Sequence, residues 1–252
     1  SLPEVTDCVA ALAGACGGTA WAFSLLITHS HQMAMFSKQA QDEFWGENVD
    51  ATASSSIAPF GKAEECEGGV IFNGDMRWSS GCDHAEWAIL GFLRDNKETG
   101  VKDYSFGVVY KDDYEIIDDW YSTGIKPSGT KTLHIKENAF IPEHRIEKAK
   151  AMMSGESAGF GLYPDSKIYY TPYRPYFACG FASMALGIAE RMLTVFKELT
   201  QNRTRAYTMA ASGKEIPPLM RLAESTHQVW PPHLVFLKTW DEHKEFGEQK
   251  RY

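Results

Sequence analysis

The decapeptide Arg77–Glu86, R-W-S-S-G-C-D-H-A-E, packs a thiol, an imidazole, two carboxylates and two hydroxyls into one short stretch. A zinc site would draw on at least two Cys or His ligands at a helical or knuckle spacing, and no second pair with such spacing occurs in the chain. If a strand begins near His84, its alternation puts His84 and Glu86 on one face and Asp83 on the other, which splits the cluster. The plainer expectation is a turn from Ser79 to Asp83 leading into a strand, with Cys82 as a small buried apolar group. No metal is expected here.

Other stretches carry chemistry of other kinds. In T-H-S-H (Thr28–His31) the two imidazoles are two positions apart, so on a helix they point about 200° from each other and cannot share a metal. Either could act as an acid or base near neutrality, or be a satisfied structural residue. Ser54–Ser56 lies outside any G-x-S-x-G elbow and reads as strand-edge serines beside a loop. Y-T-P-Y-R-P-Y-F (Tyr170–Phe177) sets Arg174 among aromatic rings, which suits a planar or anionic ligand and equally a helix start pinned into a core. Arg203 and Arg205 offer a phosphate contact or a favourable charge at a helix C-terminus. No glycine-rich phosphate loop of the P-loop or dinucleotide type is present.

These groups need elements to position them, and the chain divides accordingly. Residues 1–49 show apolar residues at helical spacing (Val5, Val9, Leu12, Trp21, Leu25), broken by Gly17-Gly18, and read as the end of an α domain. Residues 50–145 change to short β-rich runs, among them W-A-I-L-G-F, Y-S-F-G-V-V-Y and T-L-H-I-K-E-N-A-F-I, separated by turn residues. Six to eight strands ending near Pro142 predict a small sandwich or barrel. Residues 146–252 return to helix, with one long amphipathic segment from Pro175 to about Tyr207 and another from Pro218 to Val229. Pro231-Pro232 is expected to break the helix there. The fold class is α+β, a β domain between α-helical layers.

Composition narrows the function. A formal charge of -8 argues against a nucleic-acid surface. Five cysteines without a C-x-x-C pair fit a reducing cytoplasm, and neither a membrane-length apolar run nor a leader is read in the sequence.

The helix, β domain, helix order together with N-G-D-M-R-W-S-S-G (Asn73–Gly81) resembles the acyl-CoA dehydrogenase superfamily, in which a Trp-x-Ser/Thr on a β-domain strand lies against a flavin ring. More closely, T-A-W-A-F-S-L-L (Thr19–Leu26), T-H-S-H-Q (Thr28–Gln32), A-T-A-S-S-S-I-A-P-F-G-K (Ala51–Lys62), W-S-S-G-C-D-H-A-E (Trp78–Glu86), A-G-F-G-L-Y-P-D-S-K (Ala158–Lys167), Y-T-P-Y-R-P-Y-F-A (Tyr170–Ala178) and A-E-S-T-H-Q-V (Ala223–Val229) are similar to the oxygenase components of two-component p-hydroxyphenylacetate 3-hydroxylases. The chain resembles these monooxygenases from Leu2 to Val229, apparently shortened at both ends.

The resemblance implies an FMNH2-dependent aromatic hydroxylase, with FADH2 as a possible substitute, that uses O2 through a C4a-hydroperoxyflavin to hydroxylate a phenol of the 4-hydroxyphenylacetate class ortho to its hydroxyl. It implies that Ser80 holds flavin N5, that Trp78 lies beside the ring, and that Arg174 and Phe177 line the flavin cavity. His29 and Ser55 would hold the phenolic oxygen, with Trp21 and Phe177 against the substrate, and Arg203 would meet the flavin phosphate across a subunit interface. A separate NAD(P)H:flavin reductase and a homotetramer are the implied partners. A neutral Ser80 hydroxyl suits an N5–H better than a carboxylate would, because it holds the proton without removing it. Two alternatives stand beside this. One is an FAD-dependent acyl-CoA dehydrogenase, although A-P-F-G-K (Ala58–Lys62) lacks the G-S-D ending of that family's flavin loop. The other is a non-catalytic shortened homologue.

Overall fold

The computed structural model describes residues 2–96, 99–171 and 173–249. Among the described residues, helices α1 (Leu2–Ala15), α2 (Gly17–Met33) and α3 (Lys38–Trp45) precede eight strands. The strands are β1 (Ala53–Ser56), β2 (Lys62–Cys66), β3 (Gly69–Ser79), β4 (Trp87–Asp95), β5 (Lys102–Tyr110), β6 (Tyr114–Ile117), β7 (Lys131–Pro142) and β8 (Ile146–Lys148). Helices α4 (Ala149–Ser154), α5 (Tyr173–Asn202) and α6 (Ile216–Gln249) follow. The break between α1 and α2 is an extended Cys16, and the Ser37 hydroxyl caps α3 by accepting from the Ala40 amide. Gln41, buried on α3, donates to the Ala34 and Phe36 carbonyls, so the turn out of α2 is pinned by a side chain and not left to solvent.

The strands form two four-stranded sheets, ordered β1-β4-β5-β8 and β2-β3-β7-β6. β1 runs parallel to β4, while the other pairs are antiparallel. Strand β4 shows why W-A-I-L-G-F is an unbroken apolar run. Its alternate residues Ala88, Leu90 and Phe92 meet Phe72, Met76, Leu133 and Ile141 of the second sheet. Trp87 and Ile89 face the other way, against Met33, Met35, Phe36 and Phe44 of the helical layer. A sheet covered on both faces needs no polar side. Fully burying each large side chain contributes about 1.5–3 kcal/mol, so these two cores carry most of the stability.

Helix α5 crosses α1 and α2, and glycines allow the approach. A Cβ at Gly187 would stand 2.2 Å from the Ala10 carbonyl oxygen. Gly187→Ala gains helix propensity but must push two backbones apart, and the clash wins. We expect a loss of about 1–3 kcal/mol, seen as a lower urea midpoint at unchanged slope. An unchanged midpoint would mean that α1 and α5 are not in this contact.

Three expectations need correction. Strand β2, K-A-E-E-C, was not among the β-rich runs, because an exposed edge strand carries charge where an inner strand carries apolar groups. Helix α6 continues through Pro231 and Pro232. The two carbonyls that lose their donors belong to His227 and Gln228, which are exposed, so water can satisfy them. Among the described residues α5 is also long and apolar enough, by length and composition, to cross a membrane, where no such run is expected from the sequence. Its first half packs against the rest of the fold, with Tyr173, Tyr176, Cys179, Gly180, Ser183 and Gly187 buried, while Met192, Phe196 and Leu199 of its second half are exposed.

Candidate active site

Parallel pairing of β1 with β4 places Ser54–Ser56 under helix α2, where His29 is fully buried. His29 Nδ1 lies 2.8 Å from the Ala53 carbonyl, which can only accept, so Nδ1 carries the ring proton. Nε2 is therefore the acceptor, and the Ser55 hydroxyl donates to it at 2.8 Å. Burial pushes the His29 pKa down to about 4, so the ring is neutral at physiological pH and free to accept a proton. His31, two residues on, points elsewhere. Its Nε2 meets the Ile168 and Thr171 carbonyls and its ring stacks on Tyr176, which makes it a structural residue.

The second centre is Ser80, just beyond the end of β3 and 4% exposed. Its Oγ accepts the Trp21 indole N–H at 2.9 Å and lies 2.8 Å from Thr130 Oγ1. No carboxylate is among these partners. Gly81, in the left-handed region at φ 73°, turns the chain beneath α2, and its amide donates to the Ser128 carbonyl. Gly18 of α2 packs so tightly on this loop that a Cβ there would sit 2.8 Å from Pro127.

The two centres share one aromatic wall. The His29 ring lies 6.2 Å from Phe177, Phe177 lies 5.1 Å from Phe181, and Phe181 lies 4.9 Å from Trp21, whose N–H holds Ser80. Phe177 and Phe181 are one helical turn apart on α5, so one face of that helix supplies the middle of the wall. The arrangement sets a Ser–His pair with basic capacity at one end and a neutral, doubly held hydroxyl at the other, with apolar rings between.

Trp78 departs from the expected geometry. Regular alternation would place Trp78 and Ser80 on one strand face, yet the register of β3 on β7 shifts between Met76 and Ser79. Trp78 has φ 64°, a strained value for a bulky residue, and is 61% exposed, with Phe60 edge-on at 5.3 Å. The Ser56 hydroxyl donates to the Arg77 carbonyl, fixing this bulge to the strand that carries Ser55. The decapeptide also differs from its expected form. Cys82–His84 is a single tight helical turn, and the strand begins only at Trp87. Cys82 is buried and its thiol is pushed up to about 11 by burial, so it is no nucleophile.

Arg174 stands exposed on the first turn of α5 and takes no place in the wall, while Pro172 of the same motif lies outside the described residues. Arg203 follows the last residue of α5, about 40 Å along the helix from Phe177, beside a cavity of about 740 Å³ also lined by Arg205, Tyr207 and Arg221. Thr130 and Ser128 were missed by sequence reasoning. Their only mark is a turn, P-S-G-T, with Gly129 in the left-handed region, and nothing local points to Ser80 fifty residues earlier.

No protein-family model matches the chain. It is 64% identical, over all 252 residues, to the oxygenase component of p-hydroxyphenylacetate 3-hydroxylase from Acinetobacter baumannii, and spans 59% of that protein's length. The crystal structure of 3-HSA hydroxylase from Rhodococcus sp. RHA1 superposes with a TM-score of 0.87 at 29% identity, covering 98% of this chain and 62% of that one. Butyryl-CoA dehydrogenase from Megasphaera elsdenii, 17% identical, superposes with a TM-score of 0.71 over 94% of this chain and 62% of its own. The fold is therefore acyl-CoA dehydrogenase-like.

Proposed function

We propose, from the homology of this chain along its full length to the oxygenase components of flavin-dependent aromatic hydroxylases, that it serves the hydroxylation of a phenol ortho to its hydroxyl. The observation that carries this reading is the single wall joining a neutral His29–Ser55 pair to a carboxylate-free Ser80. Reduced FMN or FADH2, when bound, supplies the activation of O2 for transfer of one oxygen atom to an electron-rich ring.

The residues present fit such a group. Trp78 and Phe60 leave aromatic surface open beside a strained bulge, which suits a flat, largely apolar ring system. Ser80 offers a neutral hydroxyl to an N–H at the ring's centre and brings no base that would strip its proton. At the other end Ser55 orients the phenol by accepting its O–H, and passes a proton to His29 Nε2 as electron density moves into the ring. Trp21, Phe177 and Phe181 keep water from the space between. Arg203, remote along α5, would reach a flavin phosphate only in a neighbouring copy, in keeping with a homotetramer. A separate NAD(P)H:flavin reductase would deliver the reduced flavin. An acyl-CoA dehydrogenase activity is disfavoured by the A-P-F-G-K loop (Ala58–Lys62), which lacks the G-S-D ending of that family's flavin loop.

The test is an anaerobic titration with reduced FMN followed by reductase-coupled turnover on 4-hydroxyphenylacetate. Binding together with a ring-hydroxylated product supports the reading, whereas a flat titration of folded protein rejects it. In the same assay Ser80→Ala is expected to bind reduced flavin but to release most of the consumed O2 as hydrogen peroxide. A product-to-peroxide ratio equal to that of the wild type would show that Ser80 does not protect the N–H.

A further inference from the structure

Ser80 does not stand alone. Its Oγ is 2.8 Å from Thr130 Oγ1, and Thr130 Oγ1 is 2.6 Å from Ser128 Oγ, so three hydroxyls form a file from Ser80 to Ser128. Ser128 is buried, and its backbone is fixed at both ends, its amide donating to the Ile125 carbonyl and its carbonyl accepting from Gly81.

From this file we infer that Thr130 is a positioning residue that sets which way the Ser80 hydroxyl points. A hydroxyl has one proton and two lone pairs. The Trp21 indole is a donor only, so it occupies one lone pair of Ser80 Oγ. Two capacities remain, the proton and the second lone pair, and they are shared between Thr130 and whatever stands on the open side. When the Ser80 proton is parked on Thr130, and the Thr130 proton on Ser128, Ser80 turns a lone pair outward and accepts a ligand N–H. When the file runs the other way, Ser80 turns its proton outward and repels that N–H. Both directions conserve protons, because each hydroxyl rotates and none ionises. Thr130 is the hinge of this choice, since its hydroxyl bonds to both Ser80 and Ser128.

The outward-facing half of the inference rests on the reading of the ligand as reduced flavin, but the file itself does not, and the test separates the two. In flavin-free protein the indole N–H resonance of Trp21, assigned by its loss in Trp21→Phe, reports the hydrogen bond into Ser80. Thr130→Val is expected to shift that resonance while Thr130→Ser leaves it in place. With reduced FMN, O2 and a phenol, Thr130→Val is then expected to lower the ratio of hydroxylated product to peroxide by up to about tenfold, the scale of one neutral hydrogen bond. Affinity for reduced flavin and thermal midpoint should change little, and Thr130→Ser should restore the ratio. Should Thr130→Val fail to fold, Ser128→Ala removes the far acceptor and is expected to act in the same direction. An unmoved Trp21 resonance in Thr130→Val or Ser128→Ala would overturn the file. A moved resonance with an unchanged product ratio would overturn the role toward the ligand. Absence of any hydroxylated product from the wild type would reject the flavin reading and leave the resonance result standing.

Discussion

His29→Asn is expected to abolish most hydroxylation while leaving the fold in place. The asparagine amide can keep the donation to the Ala53 carbonyl that His29 Nδ1 makes now, but it offers no basic nitrogen to the Ser55 hydroxyl. Loss of a positioned base typically costs about 10² to 10⁴ in rate, so single-turnover product formation should fall by at least about a hundredfold. Peroxide release should rise to match, because the proposed function places oxygen activation at Ser80, at the other end of the wall. Ser55→Ala should behave in the same way, since His29 is fully buried and its Nε2 is already bonded to the Ser55 hydroxyl. The pH profile gives a separate check. The unprotonated ring is the active form, and with its pKa held down to about 4 the rate should stay level as pH falls from 8 to 5.5. An acid limb near 6.5 would mean that His29 is solvated during turnover and that the buried geometry is not the working one.

Acid should weaken the fold through the same burial. His29 and His31 are each pushed down to about 4 by burial, whereas an unfolded histidine titrates at its ordinary value of 6.5. Between those values the unfolded chain binds more protons than the folded one, so stability falls as pH drops through this window. Each histidine contributes roughly 3 kcal/mol over the full window, a large part of the 5–15 kcal/mol that holds a typical domain together. Burial alone would raise Glu43, but its bonds to Arg145 and His144 outweigh burial and hold it below its usual range, so that pairing is lost only in stronger acid. Glu147, raised by burial, shifts stability in the opposite sense and is unaffected by a histidine substitution. Urea midpoints measured from pH 7 to pH 5 should therefore drop, and His31→Gln should make the drop shallower by about half of the two-histidine contribution. A midpoint independent of pH over that range would show that both rings are already accessible to protons in the folded state.

The layers of this fold could be read from the sequence because they rest on periodicity. Strand β4 announces burial on both faces by an unbroken apolar run, and α2 and α5 announce themselves by length and spacing. The candidate site rests in the sequence on resemblance alone. Nothing in the spacing of His29 and Ser55 says that one donates to the other, because the pairing is made by β1 lying parallel to β4 beneath α2. Trp78 and Ser80 do not share a strand face as their spacing suggests, since simple alternation does not anticipate a bulge with a left-handed Trp. Thr130 was invisible for a different reason, being a common residue in an ordinary turn that gains its meaning from a contact across the sheet. Pro231 and Pro232 predict a break from their local cost, yet α6 continues through them because the carbonyls left without donors belong to exposed residues.

The central claim is that one wall couples oxygen activation at Ser80 to a phenol held by Ser55 and His29. Its most direct measurement is a single turnover of reduced-FMN-loaded protein with ¹⁸O2 and 4-hydroxyphenylacetate, followed by mass spectrometry of the aromatic product. The account predicts one ¹⁸O atom in a new hydroxyl ortho to the original one. Product carrying oxygen from water, or complete recovery of the label as hydrogen peroxide with the phenol unchanged, would contradict it.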